Sequence, residues 1–489
     1  MTRSRLSVSL VTVLALAACT IDQSGPVSPI ASTRAVRSVS GSAASRYLVL
    51  ASNSGFSSDF EASVAALGGT IEQLHGGAGI AVVSVVSDAT AAQIAALSGV
   101  SDVQPDADIS LNAPLAAATA DVTGVGGPSI SSVGNPTTAG LYSWQWNMRA
   151  IHANQAWAGG KLGSSTVTVA IIDTGIDYDD PDLNGLVDLS RSVSFVPSDD
   201  SITAHFFSTR NPITDYNGHG TNVAAQVSSK AVVFAGVTSK TTLIGVKVIG
   251  FSGSGSFSAI LNGVLWAADH GANVANMSLG GAFAKAGNGR FAALLNRVFN
   301  YANKKGMLIV VAAGNESADL DHDGNSDQTF CSQPHVICVS ATGPVTATGN
   351  VDLPAFYTNF GRSAISVAGP GGNADAANGF TVSLWPWGPD IASWVWSFCS
   401  KTTLAGITPT GIPVLAGCQS GRLVTGFIGT SQATPHVAGL AASLMAEQGT
   451  GQPSQIKNAI EKSADDLGQP GTDPFYGRGR INVAKAFGM

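Results

Sequence analysis

Four residues of this chain stand in settings that nucleophilic chemistry would use, and the first is a serine. Ser431 lies in Gly429-Thr430-Ser431-Gln432-Ala433-Thr434-Pro435-His436-Val437-Ala438-Gly439. A turn of small residues delivers it, and an apolar helix pattern follows: Val437, Leu440, Ala441 and Leu444 fall at i, i+3, i+4 and i+7. The spacing predicts a helix that starts at the serine, with Pro435 near the first turn, where a missing N–H costs least. Unpaired N–H groups and the positive dipole end then favour negative charge beside Ser431. A serine that attacks a carbonyl needs such a place, because the anion formed must meet donors. Capping a helix is the commoner fate of a turn serine. Ser431 therefore counts as a nucleophile only if a base and an orienting acid exist elsewhere.

Candidates for both exist. His219 lies in Asn217-Gly218-His219-Gly220-Thr221-Asn222, with glycines that let backbone and substrate approach and a helix expected to follow. A neutral imidazole is the natural base for a hydroxyl near neutral pH, although most of the chain's eight histidines must be ordinary. His436, on the same helix as Ser431, is expected to point away from it. Asp173 ends the apolar run Val169-Ala170-Ile171-Ile172. A carboxylate there is rigid and partly desolvated, able to hold an imidazole in one tautomer; a turn-capping Asp is the bland alternative. Asn315 closes Val310-Val311-Ala312-Ala313-Gly314, where its amide could donate to an oxyanion. Asn315-Glu316-Ser317 and Asn276-Met277-Ser278 also match the glycosylation sequon; the N-terminal segment and expected burial argue against that use.

The elements that must position these residues read as an α/β fold with a mostly parallel, doubly wound sheet. Strand-length apolar runs end at Asp173, Gly250, Ser278, Gly314, Ser340 and Ala368, and helical patterns at Ser258 to His270 and Phe291 to Lys304 lie between them. In such sheets the site lies beyond the carboxyl ends of the strands. Upstream, residues 46–110 alternate strand and helix patterns as a small α+β, ferredoxin-like βαββαβ module. Residues 111–141 are rich in Ala, Gly, Pro, Ser and Thr, and read as an exposed linker with a processing site. Residues 20–45 read as a flexible tether. At the start, Arg3 and Arg5 precede an apolar run too short to span a membrane, ending in Leu16-Ala17-Ala18-Cys19. That tetrad resembles a bacterial lipobox, which would make Cys19 a lipid-bearing N-terminus, with a plain secretory signal as the alternative.

Composition sets the class. The 489 residues are 44% hydrophobic and 12% charged, with 57 glycines and a net charge of -7, which suits a large packed core and gives no reason to expect nucleic-acid binding. Besides Cys19, an even set remains: Cys331, Cys338, Cys399 and Cys418. In an exported chain these read as disulfides. Three pairings are open, the simplest joining near neighbours; a zinc site lacks the usual Cys-x-x-Cys spacing.

The segments around Asp173, His219, Asn315 and Ser431, in that order, resemble the signature blocks of the subtilisin-like serine proteases, the subtilases. The likeness runs from about Trp144 to the C-terminus and includes Tyr476-Gly477-Arg478-Gly479-Arg480. It implies a serine endopeptidase with Ser431 as nucleophile, His219 as base, Asp173 as its orienting partner, and an oxyanion hole from the Asn315 side chain and the Ser431 N–H. It implies substrate binding along Gly253, Ser254 and Gly255, an edge strand read by β-augmentation, and along Ser278, Leu279 and Gly280. It makes residues 46–110 a propeptide that inhibits until cut, the partners protein or peptide substrates, and the chain an expected monomer that touches a membrane only through Cys19. No cofactor is required for the chemistry. Gln432 departs from the family, which usually has Met there. Residues 371–426, with Trp385, Trp387, Trp394 and Trp396 and the Cys399–Cys418 pair, are expected as a surface insertion. Asp319, Asp321, Asp323 and Asp327, around Gly324, resemble half of a calcium loop, but Phe330 stands where its bidentate Glu would be; structural calcium is the expectation and a solvated acidic loop the alternative. Two rival readings are a dead peptide-binding surface lipoprotein of the same fold, and an α/β-hydrolase esterase, which fails on its Gly-x-Ser-x-Gly turn and residue order.

Overall fold

The computed structural model describes residues 45–53, 55–111, 116–121, 132–280, 283–284, 289–322, 324, 326–327, 330–345, 349–374, 393–416, 423–449 and 452–489. The signal segment with Cys19, the tether to residue 44, Asp323, Trp385, Trp387 and Cys418 lie outside them.

The N-terminal module runs β1 (Ser45–Ala51), α1 (Phe60–Ala66), β2 (Thr70–His75), β3 (Ile80–Val85), α2 (Asp88–Ala95) and β4 (Val100–Pro105). Its antiparallel sheet has the order β2-β3-β1-β4. Alternation along β1 and β3, the two central strands, gives the sheet two apolar faces. Tyr47, Val49, Ala81 and Val83 pack on Phe60, Val64 and Ile94 of the module's own helices. Leu48, Leu50, Ile80 and Val82 face the other way, into a core shared with the large domain. Polar contacts fix that docking: Arg297 donates to the Ala51 carbonyl at 2.8 Å, and His75 pairs with Asp269 at 2.6 Å. Two short strands follow, β5 (Asp108–Ser110) and β6 (Ala116–Asp121). β6 falls in the stretch expected to be a plain linker.

The large domain continues with α3 (Trp146–Ala150), α4 (Ala153–Ala158), β7 (Thr168–Asp173), β8 (Val193–Ser194), α5 (Pro197–Phe206), α6 (His219–Val227), β9 (Thr242–Lys247), β10 (Ser254–Ser256) and α7 (Phe257–Asp269). Next come β11 (Val274–Met277), β12 (Phe283–Ala284), α8 (Gly289–Lys304), β13 (Leu308–Ala312), β14 (Ser326–Asp327), β15 (Val336–Thr342) and β16 (Val367–Pro370). The chain ends with β17 (Val395–Phe398), β18 (Leu404–Ile407), β19 (Pro413–Leu415), β20 (Leu423–Ile428), α9 (Thr430–Gln448), α10 (Pro453–Ser463) and α11 (Val483–Ala486). Seven strands form one parallel sheet of order β16-β15-β13-β11-β7-β9-β8. Both faces are covered, as continuous apolar strands require. Val169 and Ile171 of β7 point into the core with α6 and α9, whereas Ala170 and Ile172 point to α7 and α8.

Helix α9 departs from the expected one-sided pattern: every residue from Thr430 to Met445 is buried, because the sheet lies on one side and α6 and α10 on others. Trp394 and Trp396 are buried in the core rather than displayed on a surface insertion; Trp396 packs edge-on against Trp144 at 5.5 Å. Cys331 and Cys338 form a disulfide, and Cys399 is also disulfide-bonded. Among the described residues no helix is long and apolar enough to cross a membrane.

Candidate active site

The carboxyl ends of β7, β11 and β13 and the N-termini of α6 and α9 converge on one place. Asp173, fully buried at the end of β7, accepts a hydrogen bond from His219 Nδ1 at 2.7 Å through Oδ1. That bond leaves Nε2 of the ring unprotonated and available as a base. His219 opens α6 behind Gly218, whose φ of 97° suits glycine. Gly220 is needed for a different reason: a Cβ there would stand 2.2 Å from the Gly175 carbonyl oxygen.

A second buried carboxylate shapes this loop. Asp215 Oδ1 accepts from the N–H groups of Asn217 at 3.0 Å and Gly218 at 2.8 Å, and from the Thr174 hydroxyl at 2.9 Å. Its Oδ2 accepts from the N–H of Thr221 at 2.9 Å and the Thr221 hydroxyl at 2.6 Å. Burial by itself would lower the pKa of His219, but the charge of Asp173, the hydrogen bond to it and the charge of Asp215 outweigh burial and hold that pKa above the ordinary histidine value.

Ser431 is the second residue of α9. Its hydroxyl donates to the Ser278 carbonyl at 3.0 Å, and the Ser278 hydroxyl donates to the Ser431 carbonyl at 2.7 Å. The second bond depends on Pro435, which sits in the second turn of the helix rather than near its start. Lacking an N–H, Pro435 leaves the Ser431 carbonyl free of the usual helical donor, and Ser278 fills the vacancy. Among the described residues no hydrogen bond joins Ser431 to His219.

Asn315 follows β13. Its Oδ1 accepts from both the N–H and the hydroxyl of Thr430, each at 2.9 Å. With its oxygen held there, Asn315 lines the cleft together with Ser431. The Thr430 hydroxyl in turn accepts from the Gly314 N–H at 3.1 Å. Buried Asn359 braces the same loop, accepting from Glu316 N at 3.0 Å and Ala318 N at 2.8 Å and donating to Ala313 O at 2.9 Å.

The cleft is filled by the chain itself. β5 pairs antiparallel with β10, Ile109 opposite Gly255 and Ser110 opposite Ser254, and the Leu111 N–H donates to the Gly253 carbonyl at 2.6 Å. Leu111 thereby enters the pocket formed with Ser278, Leu279, Gly280, Asn315 and Ser431. Nearby, Asp106 accepts from Ser258 N at 2.9 Å at the start of α7; burial, resisted by those bonds and by Arg46, raises its pKa.

Asp173 and His219 thus form one bonded pair, Ser278, Leu279, Gly280, Asn315 and Ser431 line one pocket, and Gly253, Ser254 and Gly255 are tied to that pocket through β5 and Leu111. His436 is not among them. It is buried behind the site, its Nδ1 donating to the Gln432 carbonyl at 2.7 Å and its Nε2 accepting from Asn147 at 2.8 Å; burial pulls its pKa down to about 4, so it stays neutral. Gln432 packs behind Ser431 and donates to Asn222 at 3.4 Å. The acidic loop does not form a cation cage from its described side chains. Asp321 accepts from Ser363 N at 3.2 Å, Asp319 binds His322 at 2.9 Å, and among the described residues no group of three acids, histidines or cysteines could hold a metal. Sequence reasoning missed Thr430, Asn359 and Asp215. Only the last left a signal, since Asp-x-Asn-Gly is a turn in which an Asp side chain takes backbone N–H groups.

Comparison with known proteins agrees with this geometry. Residues 164–479 match the model of the subtilase family. The chain is 31% identical to thermitase of Thermoactinomyces vulgaris over 347 residues, 70% of this chain and 96% of that protein. It is 30% identical to subtilisin E of Bacillus subtilis, covering 73% of this chain and 76% of the other. Among solved structures, the epidermin leader peptide processing serine protease of Staphylococcus aureus superposes with a TM-score of 0.70 at 21% identity, over 92% of this chain and 99% of that one. Fervidolysin of Fervidobacterium pennivorans, a keratinolytic enzyme related to subtilisin, gives 0.63 at 21% identity, over 91% and 61%.

Proposed function

The chain belongs to the subtilase family of serine endopeptidases, and from that premise we propose that it cuts peptide bonds through an acyl-enzyme on Ser431 and is made as an exported zymogen. The observation that carries the reading is the antiparallel seat of β5 on β10, which leads Leu111 into the pocket of Ser431 and Asn315. A peptide laid there in extended form offers its next carbonyl to the serine. Residues 46–110 act as the inhibitory propeptide: they fill the cleft and are anchored at Asp106, His75 and Ala51. With the cleft filled, Ser431 is only 9% exposed.

In the reaction the Ser431 hydroxyl leaves the Ser278 carbonyl and turns to His219. His219 Nε2 takes its proton as Oγ attacks the substrate carbonyl, and Asp173 stabilises the imidazolium. The oxyanion accepts from the Asn315 NH2 and the Ser431 N–H. Collapse passes the proton from His219 to the leaving amine, and water, activated by the same ring, then releases the acyl group. No step calls on a metal or organic cofactor. Export follows the N-terminal segment, with Cys19 as a lipid anchor.

Ser431→Ala tests the reading. If this serine also cuts the segment after Leu111, the variant should accumulate as an unprocessed precursor in a purified system, while wild type matures. Maturation of the purified variant would refute self-processing through Ser431.

A further inference from the structure

Ser431 and His219 share no hydrogen bond among the described residues, so the elements that carry them set the distance between them. One short stretch, residues 400–404, connects those elements. It leaves β17, which pairs antiparallel with β20, Phe398 opposite Val424, and β20 leads into Gly429-Thr430-Ser431. It then clips onto the loop in front of His219. The hydroxyls of Ser400 and Thr402 both donate to the Asp215 carbonyl, at 2.7 and 2.8 Å, and the Leu404 N–H donates to the Tyr216 carbonyl at 2.8 Å. The same stretch grips the loop behind Asp173. The Lys401 N–H donates to Asp177 Oδ2 at 2.8 Å, and Lys401 Nζ donates to the Asp179 carbonyl at 3.1 Å. The other Asp177 oxygen accepts from Arg210 at 2.7 Å, and the Asp177 N–H donates to the Thr221 hydroxyl of α6 at 3.0 Å.

Buried hydroxyls are costly to leave unpaired, and Ser400 and Thr402 are both buried. The Thr402 N–H donates to Ser400 Oγ at 3.3 Å, a local turn that lets the two side chains converge on one acceptor. Asp215 is thereby held twice. Its carboxylate takes the N–H groups of Asn217, Gly218 and Thr221, and its carbonyl takes the two hydroxyls. There is little slack at Gly218, where a Cβ would stand 3.3 Å from Thr403 Oγ1. Cys399, just before the stretch, is disulfide-bonded, which restricts the chain before it reaches the loop.

We propose that Ser400 and Thr402 are positioning residues for catalysis: through the Asp215 carbonyl they fix the His219 ring against Asp173 and toward Ser431. The inference rests on the protease reading and adds to it residues that act on the reaction only through the loop of its base. Packing of α6 on α9 holds the bodies of the helices, but residues 215–218 precede α6 and depend on their own bonds. A misplacement of about 1 Å can cost about 100-fold in rate, so a slight relaxation of this loop is enough to show.

Ser400→Ala, Thr402→Val and the double variant remove the hydroxyls, and Thr402→Ser keeps one in place. Full-length chains that have processed themselves are assayed on one peptide substrate from pH 5 to 9, with Tm measured beside them. Each hydroxyl deletion should lower kcat by about 2- to 13-fold, the worth of one net hydrogen bond, and the double variant should lose more. KM should change by less than about twofold, and Thr402→Ser should recover most of what Thr402→Val loses. The charges of Asp173 and Asp215 hold the pKa of His219 above its ordinary value. A ring that drifts from them loses part of that rise, so the acid limb of kcat/KM should move down in the double variant. A general loss of folded protein would lower Tm and the rate at every pH and leave the limb in place. If the double variant does not mature, the same readings are taken on Thr402→Val against Thr402→Ser. Wild-type kcat in the hydroxyl deletions, a loss carried by KM alone, an acid limb that stays in place, or a Thr402→Ser no better than Thr402→Val would overturn the proposal. Hydrolysis by wild type, abolished in Ser431→Ala, reports the protease reading separately: without it the function fails, and with it but with wild-type kcat in the hydroxyl deletions only the positioning role fails.

Discussion

Replacing Asn315 by Ala removes two things that the structure separates. One is a donor. The NH2 of Asn315 meets no protein acceptor among the described residues, and in the proposed reaction it donates to the oxyanion, a charge that develops only in the transition state. Its loss should lower kcat by about 100- to 1000-fold, or about 2.7–4 kcal/mol, a magnitude measured on a subtilisin, with KM nearly unchanged. The other is an acceptor. Asn315 Oδ1 holds the N–H and hydroxyl of Thr430, and a backbone N–H left unpaired costs about 1–3 kcal/mol of stability. Thr430→Val dissects the pair. It deletes the hydroxyl and keeps the backbone bond, so Asn315 loses one of two restraints worth about 0.5–1.5 kcal/mol each. At 1.36 kcal/mol per decade, kcat should fall by about 2- to 13-fold. Because Thr430 acts by aiming Asn315, the double variant should be no slower than Asn315→Ala alone. Steady-state kinetics on one peptide substrate give all four corners of the cycle. Fully additive losses would show that Thr430 does not work through Asn315, and a rise in KM with kcat intact would make Asn315 a binding residue.

Two further outcomes follow from the charges. His219 works as a base only when neutral, and its pKa is held above the ordinary 6.5; the acid limb of kcat/KM should therefore lie above pH 6.5, and Asp215→Asn, which removes one raising charge, should move it down, measured on a peptide substrate from pH 5 to 9. In the acidic loop Asp321 is bound to Ser363, so Asp321→Ala should lower Tm equally with and without a chelator; a wild-type Tm that falls on chelation, and no longer does so in the variant, would instead assign calcium to Asp319, Asp321, Asp323 and Asp327.

What could be read from the chain and what could not divides along physical lines. The runs ending at Asp173, Ser278 and Gly314 are buried on both faces of a parallel sheet, and such strands write themselves into a sequence as unbroken apolar stretches. The polar residues at their ends could then be picked out because that is where such sheets carry chemistry. Strand β2 left no such trace: it is an edge strand with a largely exposed face. β6 left none either, since four alanines become a strand only because β20 offers a partner. Trp394 and Trp396 read as parts of an insertion because sequence distance hides that Trp144 lies against Trp396 and that Trp146 donates to the Trp394 carbonyl. The side chains that aim the site were hidden for another reason. Thr430, Asp215 and Asn359 bond to backbone groups and to side chains far away in the chain, Asn315, Thr174 and Glu316 respectively, and no periodicity records such bonds. Position along a strand is local information, whereas the bracing of a loop is not.

The central claim is that Ser431, with His219 and Asp173, is an activated nucleophile. A fluorophosphonate reacts with a serine hydroxyl only where a base and an oxyanion hole activate it. Wild-type protein that has processed itself should take up one fluorophosphonate, located by peptide mass spectrometry on Ser431, and His219→Ala should take up none. Absence of label from processed wild type, or label that stays on another residue when Ser431 is replaced by Ala, would contradict the account.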